Sequence, residues 1–200
     1  MMRTLLVFLK YPAAGQVKTR LAESIGPDRA ADLYREWIGI VLSNFQSLRQ
    51  TTRLVTCFDG APLEAFERWR CLADDWWPQP SGGLGGRLDA AFHSWQTGGG
   101  PAVAVGTDCL DVDANRVESA FELLRKNDVV FGPAIDGGYY LVGIARYLTN
   151  FFHGVPWSTA TTLAAHQALC EQQGWTYGLL RTLRDIDTLE DWNEYQRHRS

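Results

Sequence analysis

The chain has 200 residues, 46% of them hydrophobic and 21% charged, and a formal net charge of −4, which describes a globular protein with a sizeable core rather than a disordered one. The negative balance argues against non-specific nucleic-acid binding, which needs a basic face, but not against a small phosphate ligand held by two or three local cations. No apolar run approaches the ~20 residues that a bilayer requires, and the short N-terminal apolar stretch ends in Lys10 rather than at a small-residue cleavage site, so a cytoplasmic protein without a membrane partner is expected, organised as one domain over residues 1–200.

In chain order, Thr4 to Leu9 reads as a buried strand, and Pro27 to Leu48 as a helix with Leu33, Trp37, Ile40, Val41 and Leu48 on one face. Pro27 suits the first turn of that helix, where its missing N–H would be unpaired anyway. Arg53 to Phe58 is a second strand and Pro62 to Arg70 a short helix. The stretch from Trp69 to Gly86, rich in Trp, Pro and Gly, reads as a long functional loop or small subdomain. A helix running to Gln96 follows it, then a strand over Ala102–Val105, a helix over Ala114–Lys126, and strands over Asp128–Phe131 and Tyr139–Ile144. A helix over Thr159–Gln172 closed by Gly174, a late strand over Thr176–Leu180 and a terminal helix over Thr188–His198 complete the series. Thr188 to Asp191 approximates a capping box with Asp in place of the usual Glu or Gln. Strands alternating with helices at this spacing imply a mainly parallel sheet covered on both faces, with ligands outside the carboxyl ends of the strands.

Five segments could carry chemistry. The first strand feeds a small-residue turn, and Gly15 is followed by Lys18 and Arg20, the layout of an anion-binding loop. It is not a P-loop: Val17 stands where the second glycine would be. The alternative is a surface turn with two solvated cations. The strand Ala102–Val105 ends in Gly106-Thr107-Asp108, where a carboxylate is well placed to hold Mg²⁺ or Mn²⁺ against a diphosphate, since hard cations prefer oxygen. Asp113, just before the next helix, reads as its cap. Asp136-Gly137-Gly138 lies between two strands and is either a hairpin turn or a close backbone approach to a ligand, with Asp136 as a hydroxyl acceptor or general base. Asp185 and Asp187 follow the late strand, and Asp187 could complete a metal site with Asp108. The Gly-rich run from Ser81 to Gly86 precedes Arg87, which can pair with phosphate, although a plain linker has the same composition. Trp157 could stack on a sugar or base, while Ser158 or Thr159 reads as a helix cap. The cysteines Cys57, Cys71, Cys109 and Cys170 lack C-x-x-C spacing, and the four histidines show no H-x-x-x-H pair, so zinc and redox motifs are not indicated.

The ordered set of motifs resembles a nucleotide-diphospho-sugar transferase fold of the GT-A type. More closely it is similar to a bacterial family of glycosyltransferase-like proteins sometimes labelled selenodomain- or radical-SAM-associated transferases and linked to arsenosugar biosynthesis. The resemblance spans nearly the whole chain. It rests on Lys10-x-Pro12-x-x-Gly15-x-Val17-Lys18-Thr19-Arg20-Leu21, Leu84-Gly85-x-Arg87, Gly106-Thr107-Asp108-Cys109, Asp136-Gly137-Gly138-Tyr139-Tyr140, Val155-Pro156-Trp157-Ser158-Thr159 and Asp185-Ile186-Asp187-Thr188-x-x-Asp191. The family tends to have proline two residues after the strand-end aspartate, where this chain has Leu110.

The resemblance implies a three-layer α/β/α fold and a metal-dependent transferase that takes a nucleotide sugar and a small-molecule acceptor. Pro12, Gly15, Lys18 and Arg20 would cradle the phosphates, with Lys18 and Arg20 also stabilising charge on the leaving group. Asp108 and Asp187 would hold Mg²⁺ or Mn²⁺. Leu84, Gly85, Arg87 and Thr107 would face the nucleotide, and Asp136, Gly137, Gly138, Tyr139 and Trp157 the sugar or acceptor, with Asp136 catalytic. The alternatives are a nucleotidyltransferase on a similar scaffold and a non-catalytic nucleotide-binding domain.

Overall fold

A computed structural model describes residues 2–198. Thirteen regular elements follow one another. They are β1 (Arg3–Lys10), α1 (Thr19–Ile25), α2 (Pro27–Asn44), β2 (Thr52–Asp59), β3 (Asp75–Pro78), α3 (Leu84–Trp95), β4 (Ala102–Val105), α4 (Ala114–Leu123), β5 (Val129–Pro133), β6 (Tyr139–Ile144), α5 (Thr162–Gln173), β7 (Tyr177–Leu179) and α6 (Leu189–Arg197). Two 3₁₀ segments, Gln46–Gln50 and Leu63–Leu72, flank β2.

The strands form one seven-stranded sheet in the order β3-β2-β1-β4-β6-β5-β7. Pairings β1–β2, β1–β4, β2–β3 and β5–β7 are parallel, and β6 runs antiparallel to both β4 and β5. The sheet is therefore mainly parallel, as the alternation of elements implies. The reversal at β6 is made by the tight turn after β5, where Gly137 N–H donates to Ala134 O at 3.2 Å and Ala134 N–H to Gly138 O at 3.0 Å.

Alternating side chains of β1 divide the core. Leu5, Val7 and Leu9 face a layer built on α2, α4 and α6, with Trp37, Val41 and Phe121 in it. Leu6 faces the other layer, where Leu88 and Phe92 of α3 pack with Phe131, Phe151, Phe152 and Cys170. A strand buried on both faces is apolar at every position, which is why β1 and β4 read as continuous apolar runs. Cys57, Cys109 and Cys170 are buried thiols within these layers and Cys71 is exposed.

The sequence expectations differ from the fold at four places. Residues 69–86, read as loop or subdomain, contain the edge strand β3. Pro78 ends it, and proline is tolerated there because the outer edge needs no N–H in the ladder. The expected helix Pro62–Arg70 is a 3₁₀ segment, and the single helix Pro27–Leu48 breaks at Phe45 into α2 and a 3₁₀ turn. The expected start of α5 at Thr159 moves to Thr162, because Ser158 takes a left-handed φ of 58° and turns the chain before the helix begins.

Candidate functional site at the carboxyl ends of the strands

β1 and β4 are neighbours, yet the sheet grows from β1 toward β2 and β3, and from β4 toward β6, β5 and β7. Connections leaving such a pair of strands part in opposite directions and leave a crevice beyond their carboxyl ends. The segments after β1 and β4 meet there with the segment before α6. Ile186 N–H donates to Asp108 O at 2.9 Å, tying the loop after β4 to the C-terminal segment. The capping box expected at Thr188 is present: the Thr188 hydroxyl accepts from Asp191 N–H and the Asp191 carboxylate accepts from Thr188 N–H. It fixes Asp187 one residue before the cap of α6, so Asp108 and Asp187 are both held by backbone.

Lys18 lies between them. Its Nζ is 2.6 Å from Asp108 Oδ1 and 3.0 Å from Asp187 Oδ1, and it donates to Ile186 O at 2.8 Å. The Lys18 side chain is only 5% exposed, whereas that of Arg20, 3.6 Å from Asp187 Oδ2, is 70% exposed. Lys18 has a left-handed φ of 48°, uncommon for a residue with a Cβ, and the turn it makes starts α1 at Thr19. Burial opposes its charge, but the carboxylates of Asp108 and Asp187 outweigh burial and make the ammonium more basic than usual. The two early cations and the two distant carboxylates that the sequence singles out thus form one cluster.

Two cavities adjoin it. One, of about 260 Å³, is bounded by the loop Gln16–Arg20, Lys10, Asp108 and Asp187. The other, of about 320 Å³, runs along the carboxyl ends of β1 and β4 between Leu84, Arg87, Thr107 and Tyr139. Its far rim is polar: Arg87 Nη1 donates to Asp59 Oδ2 at 2.7 Å and to Gln79 Oε1 at 3.4 Å, while Gln79 Nε2 is spent on Leu9 O and Cys57 O.

The remaining expected residues are distributed as follows. Leu84, Arg87, Thr107 and Tyr139 line the larger cavity. Gly85 serves packing, since a Cβ there would lie 2.5 Å from Trp157 Nε1 and 2.6 Å from Phe152 O. Trp157 sits behind Tyr139, against Phe152 and His166. Gly137 has φ 88°, and a Cβ would stand 2.1 Å from Ala160 O, so glycine is required by the turn and by the segment over it. Asp136 accepts from Gly138 N–H at 2.8 Å, the turn role among its alternatives. Pro12 is buried with its carbonyl on Arg35, and Gly15 is an exposed turn residue with φ 73°. Asp113 caps α4, accepting from Arg116 N–H.

Three residues had no role in the sequence reading of the site. Lys10 ends β1 beside the smaller cavity, its Nζ donating to Gln16 O at 3.2 Å. Tyr34 of α2 is buried, and its hydroxyl accepts from Lys10 N–H at 3.2 Å and pairs with Thr107 Oγ1 at 2.7 Å, joining the ends of β1 and β4. Burial, reinforced by Asp108, pushes this phenol up to about 12. Asp185 lines the larger cavity, and its Oδ1 is buried without a hydrogen-bond partner among the described residues. Burial and then the charge of Asp108 raise its carboxyl to about 7. Its spacing of two from Asp187 was the available signal, because residues i and i+2 of an extended segment share one side.

A parallel-dominated sheet with a charged crevice at the β1–β4 switch point defines a nucleotide-diphospho-sugar transferase-like α/β protein of GT-A type. The chain belongs to the family DUF2064, described as "Uncharacterized protein conserved in bacteria", whose profile matches residues 42–159. It is similar to a solved protein from Desulfovibrio desulfuricans, provisionally named a nucleotide-diphospho-sugar transferase, with TM-score 0.90 and 29% identity over 100% of this chain and 89% of that one. The fold is shared more distantly with a nucleotidyl transferase from Methanothermobacter (TM-score 0.64, 14% identity, 98% and 97% covered). It is also shared with Rv0371c of Mycobacterium tuberculosis, solved in complex with manganese (TM-score 0.58, 13% identity, 97% of each chain covered). A search of curated proteins finds no match to this sequence.

Proposed function

We propose that this protein is a metal-dependent transferase acting on a nucleotide-diphospho-sugar, with a small-molecule acceptor. The observation that carries the reading is the convergence of Lys18, Arg20, Asp108 and Asp187 beside two adjoining cavities at the switch point of the sheet. The smaller cavity has the cationic lining a diphosphate needs, from Lys10, Lys18 and Arg20. The larger one, apolar along Leu84 and Leu88 and polar at Asp59, Gln79 and Arg87, suits a nucleoside. Asp136 and Tyr139 are assigned to the sugar or acceptor side.

Among the described residues no group of three or more His, Cys, Asp or Glu side chains forms a metal cage. The donor set nevertheless fits Mg²⁺ or Mn²⁺. Asp108 and Asp187 already grip one cation with hard oxygen atoms, and Mg²⁺ is commonly held by one or two carboxylates, with substrate phosphates and water completing its shell. Asp108 and Asp187 would hold the ion, which when bound neutralises charge on the diphosphate. Lys10, Lys18 and Arg20 would orient the phosphates and stabilise the charge that builds on the departing diphosphate. The side chains of the larger cavity would hold the nucleoside and exclude water.

Support for the transferase class comes from the Desulfovibrio protein, at 29% identity over the full chain. The second reading, nucleotidyl transfer to a phosphorylated small molecule, is favoured by the fold shared with the Methanothermobacter nucleotidyl transferase. A thermal-shift panel of nucleotide sugars and nucleoside triphosphates, each with and without Mn²⁺, tests both. Stabilisation by a nucleotide sugar with Mn²⁺, and release of nucleoside diphosphate on turnover, support the first. Release of pyrophosphate from a triphosphate supports the second. A folded protein stabilised by no member of the panel contradicts both.

A further inference from the structure

The ammonium of Lys18 occupies the ground between Asp108 and Asp187 that a divalent ion would take. We infer that Lys18 is a resident counter-ion that closes this carboxylate pair to free divalent metal, so that metal and a diphosphate-bearing ligand enter together and Lys18 moves from the carboxylates to the phosphates. The inference rests on the function proposed above and adds to it an obligatory coupling of two ligands.

Three features of the site carry it. First, the ammonium is fully engaged: it meets Asp108 Oδ1, Asp187 Oδ1 and Ile186 O, each at 3.0 Å or less, and its side chain is nearly inaccessible. An incoming ion must displace it. Second, free metal has little to offer in exchange. It would gain two carboxylates and no third His, Cys, Asp or Glu ligand among the described residues, while the expelled ammonium would leave two carboxylates and the Ile186 carbonyl for a cavity with no further carboxylate in its lining. Third, the side chain of Lys18 borders the cavity that also exposes Lys10 and Arg20. A diphosphate bound there gives the ammonium new anionic partners a short distance away. The carboxylates it leaves, facing each other without a cation, then repel and favour a doubly charged ion. Each ligand therefore raises the affinity of the other by the same factor, as thermodynamic reciprocity requires.

Arg20 does not share this role. It reaches only Asp187, at 3.6 Å, and is largely solvated. Surface pairs of that kind contribute little, so the closing charge is Lys18 alone.

The test is a Mn²⁺ titration of the nucleotide-free protein, followed by the electron paramagnetic resonance signal of free aqueous Mn²⁺. Wild type, Lys18→Met, Lys18→Gln and the double variant Lys18→Met with Asp108→Asn are compared, each shown folded by its melting curve. Wild type is expected to bind Mn²⁺ weakly, both single variants at least tenfold more tightly, and the double variant weakly again. Lys18→Gln keeps a donor for Ile186 O and serves if Lys18→Met does not fold. Equal Mn²⁺ affinity in wild type and the folded Lys18 variant overturns the inference, as does tight binding that survives Asp108→Asn. The proposed function is tested separately, by thermal shift of wild type with UDP or GDP plus Mn²⁺. A joint shift there with no gain in Mn²⁺ affinity in the Lys18 variants defeats the inference and spares the function. Absence of Mn²⁺ binding in every protein and every condition defeats both.

Discussion

The two ends of the sheet carry similar residue types and treat them differently. At the amino ends of the strands, each cation has its own anion: Arg3 with Glu118 at 2.6 Å, Arg49 with Asp74 at 2.7 Å and Arg53 with Asp75 at 2.6 Å. At the carboxyl ends, Asp108, Asp185 and Asp187 crowd around Lys18, and one buried oxygen of Asp185 has no partner among the described residues. Charge that is balanced pair by pair leaves nothing for a ligand to improve. Carboxylates that share one buried cation are satisfied further only by something that arrives, and this difference separates the structural end of the sheet from the end that binds.

Removing the central carboxylate of the binding end should have the largest effect. Asp108→Ala is expected to lower transfer activity by roughly 10²–10³-fold while the fold survives, the scale associated with losing one element of charge stabilisation. Turnover of the nucleotide sugar found by thermal shift, with circular dichroism as the folding control, measures it. Activity near the wild-type level would detach the carboxylate cluster from the chemistry and favour a non-catalytic domain.

The aromatic layer behind the site carries a titratable group of its own. His166 is fully buried among Phe131, Phe151, Phe152 and Trp157, and burial lowers its pKa to about 4. The folded protein therefore prefers the neutral ring. The stability linked to this group is fully present above the unfolded value of about 6.5 and is lost as pH falls through 4, an effect of about 3 kcal/mol. Wild type should lose that stability in urea titrations between pH 6.5 and 4, and His166→Leu should show a flatter dependence over the same range. An identical pH dependence in both proteins would remove the ring from this role.

Smaller still is the effect of Tyr34→Phe, which deletes the hydroxyl linking Lys10 N–H to Thr107. A loss of about 1–2 kcal/mol of stability is expected from leaving buried partners unsatisfied, together with weaker nucleotide binding, because the ends of β1 and β4 are no longer pinned together. Arg53→Ala at the opposite end should cost at most about 1 kcal/mol, typical of exposed pairs, and leave ligand-induced thermal shifts unchanged. A loss of ligand response in Arg53→Ala would show that the two ends are not separable.

Much of this contrast is legible in the chain itself, and the reasons differ by element. β1, β4 and β6 announce themselves as apolar runs bounded by breakers, and the terminal helix by Thr188 and Asp191, because those signals are local. The strand-end position of Asp108 and the cationic loop of Lys18 and Arg20 are equally local, and so is the place of Asp187 just after the late strand, which offers it as the partner of Asp108. β3 was hidden because Trp76, Trp77 and Pro78 have no apolar–polar alternation, and their pairing with β2 is a tertiary fact. Tyr34 looks like any core aromatic of α2 until the fold brings Thr107 to 2.7 Å. The inward turn of Lys18 is also invisible in sequence. A lysine after a glycine turn suggests an exposed phosphate ligand, whereas the left-handed backbone at Lys18 and the docking of the C-terminal segment bury its ammonium between two carboxylates.

The most direct test of whether Asp108 and Asp187 hold a metal on a diphosphate is a crystal of the protein grown with Mn²⁺ and whichever of UDP or GDP raises the melting temperature more, with data collected at the manganese edge. An anomalous peak between Asp108 and Asp187, a diphosphate beside Lys10 and Arg20, and the Lys18 ammonium on phosphate oxygen instead of carboxylate are expected. Manganese ordered away from both aspartates, or a diphosphate bound outside the loop of residues 15–20, would contradict this assignment.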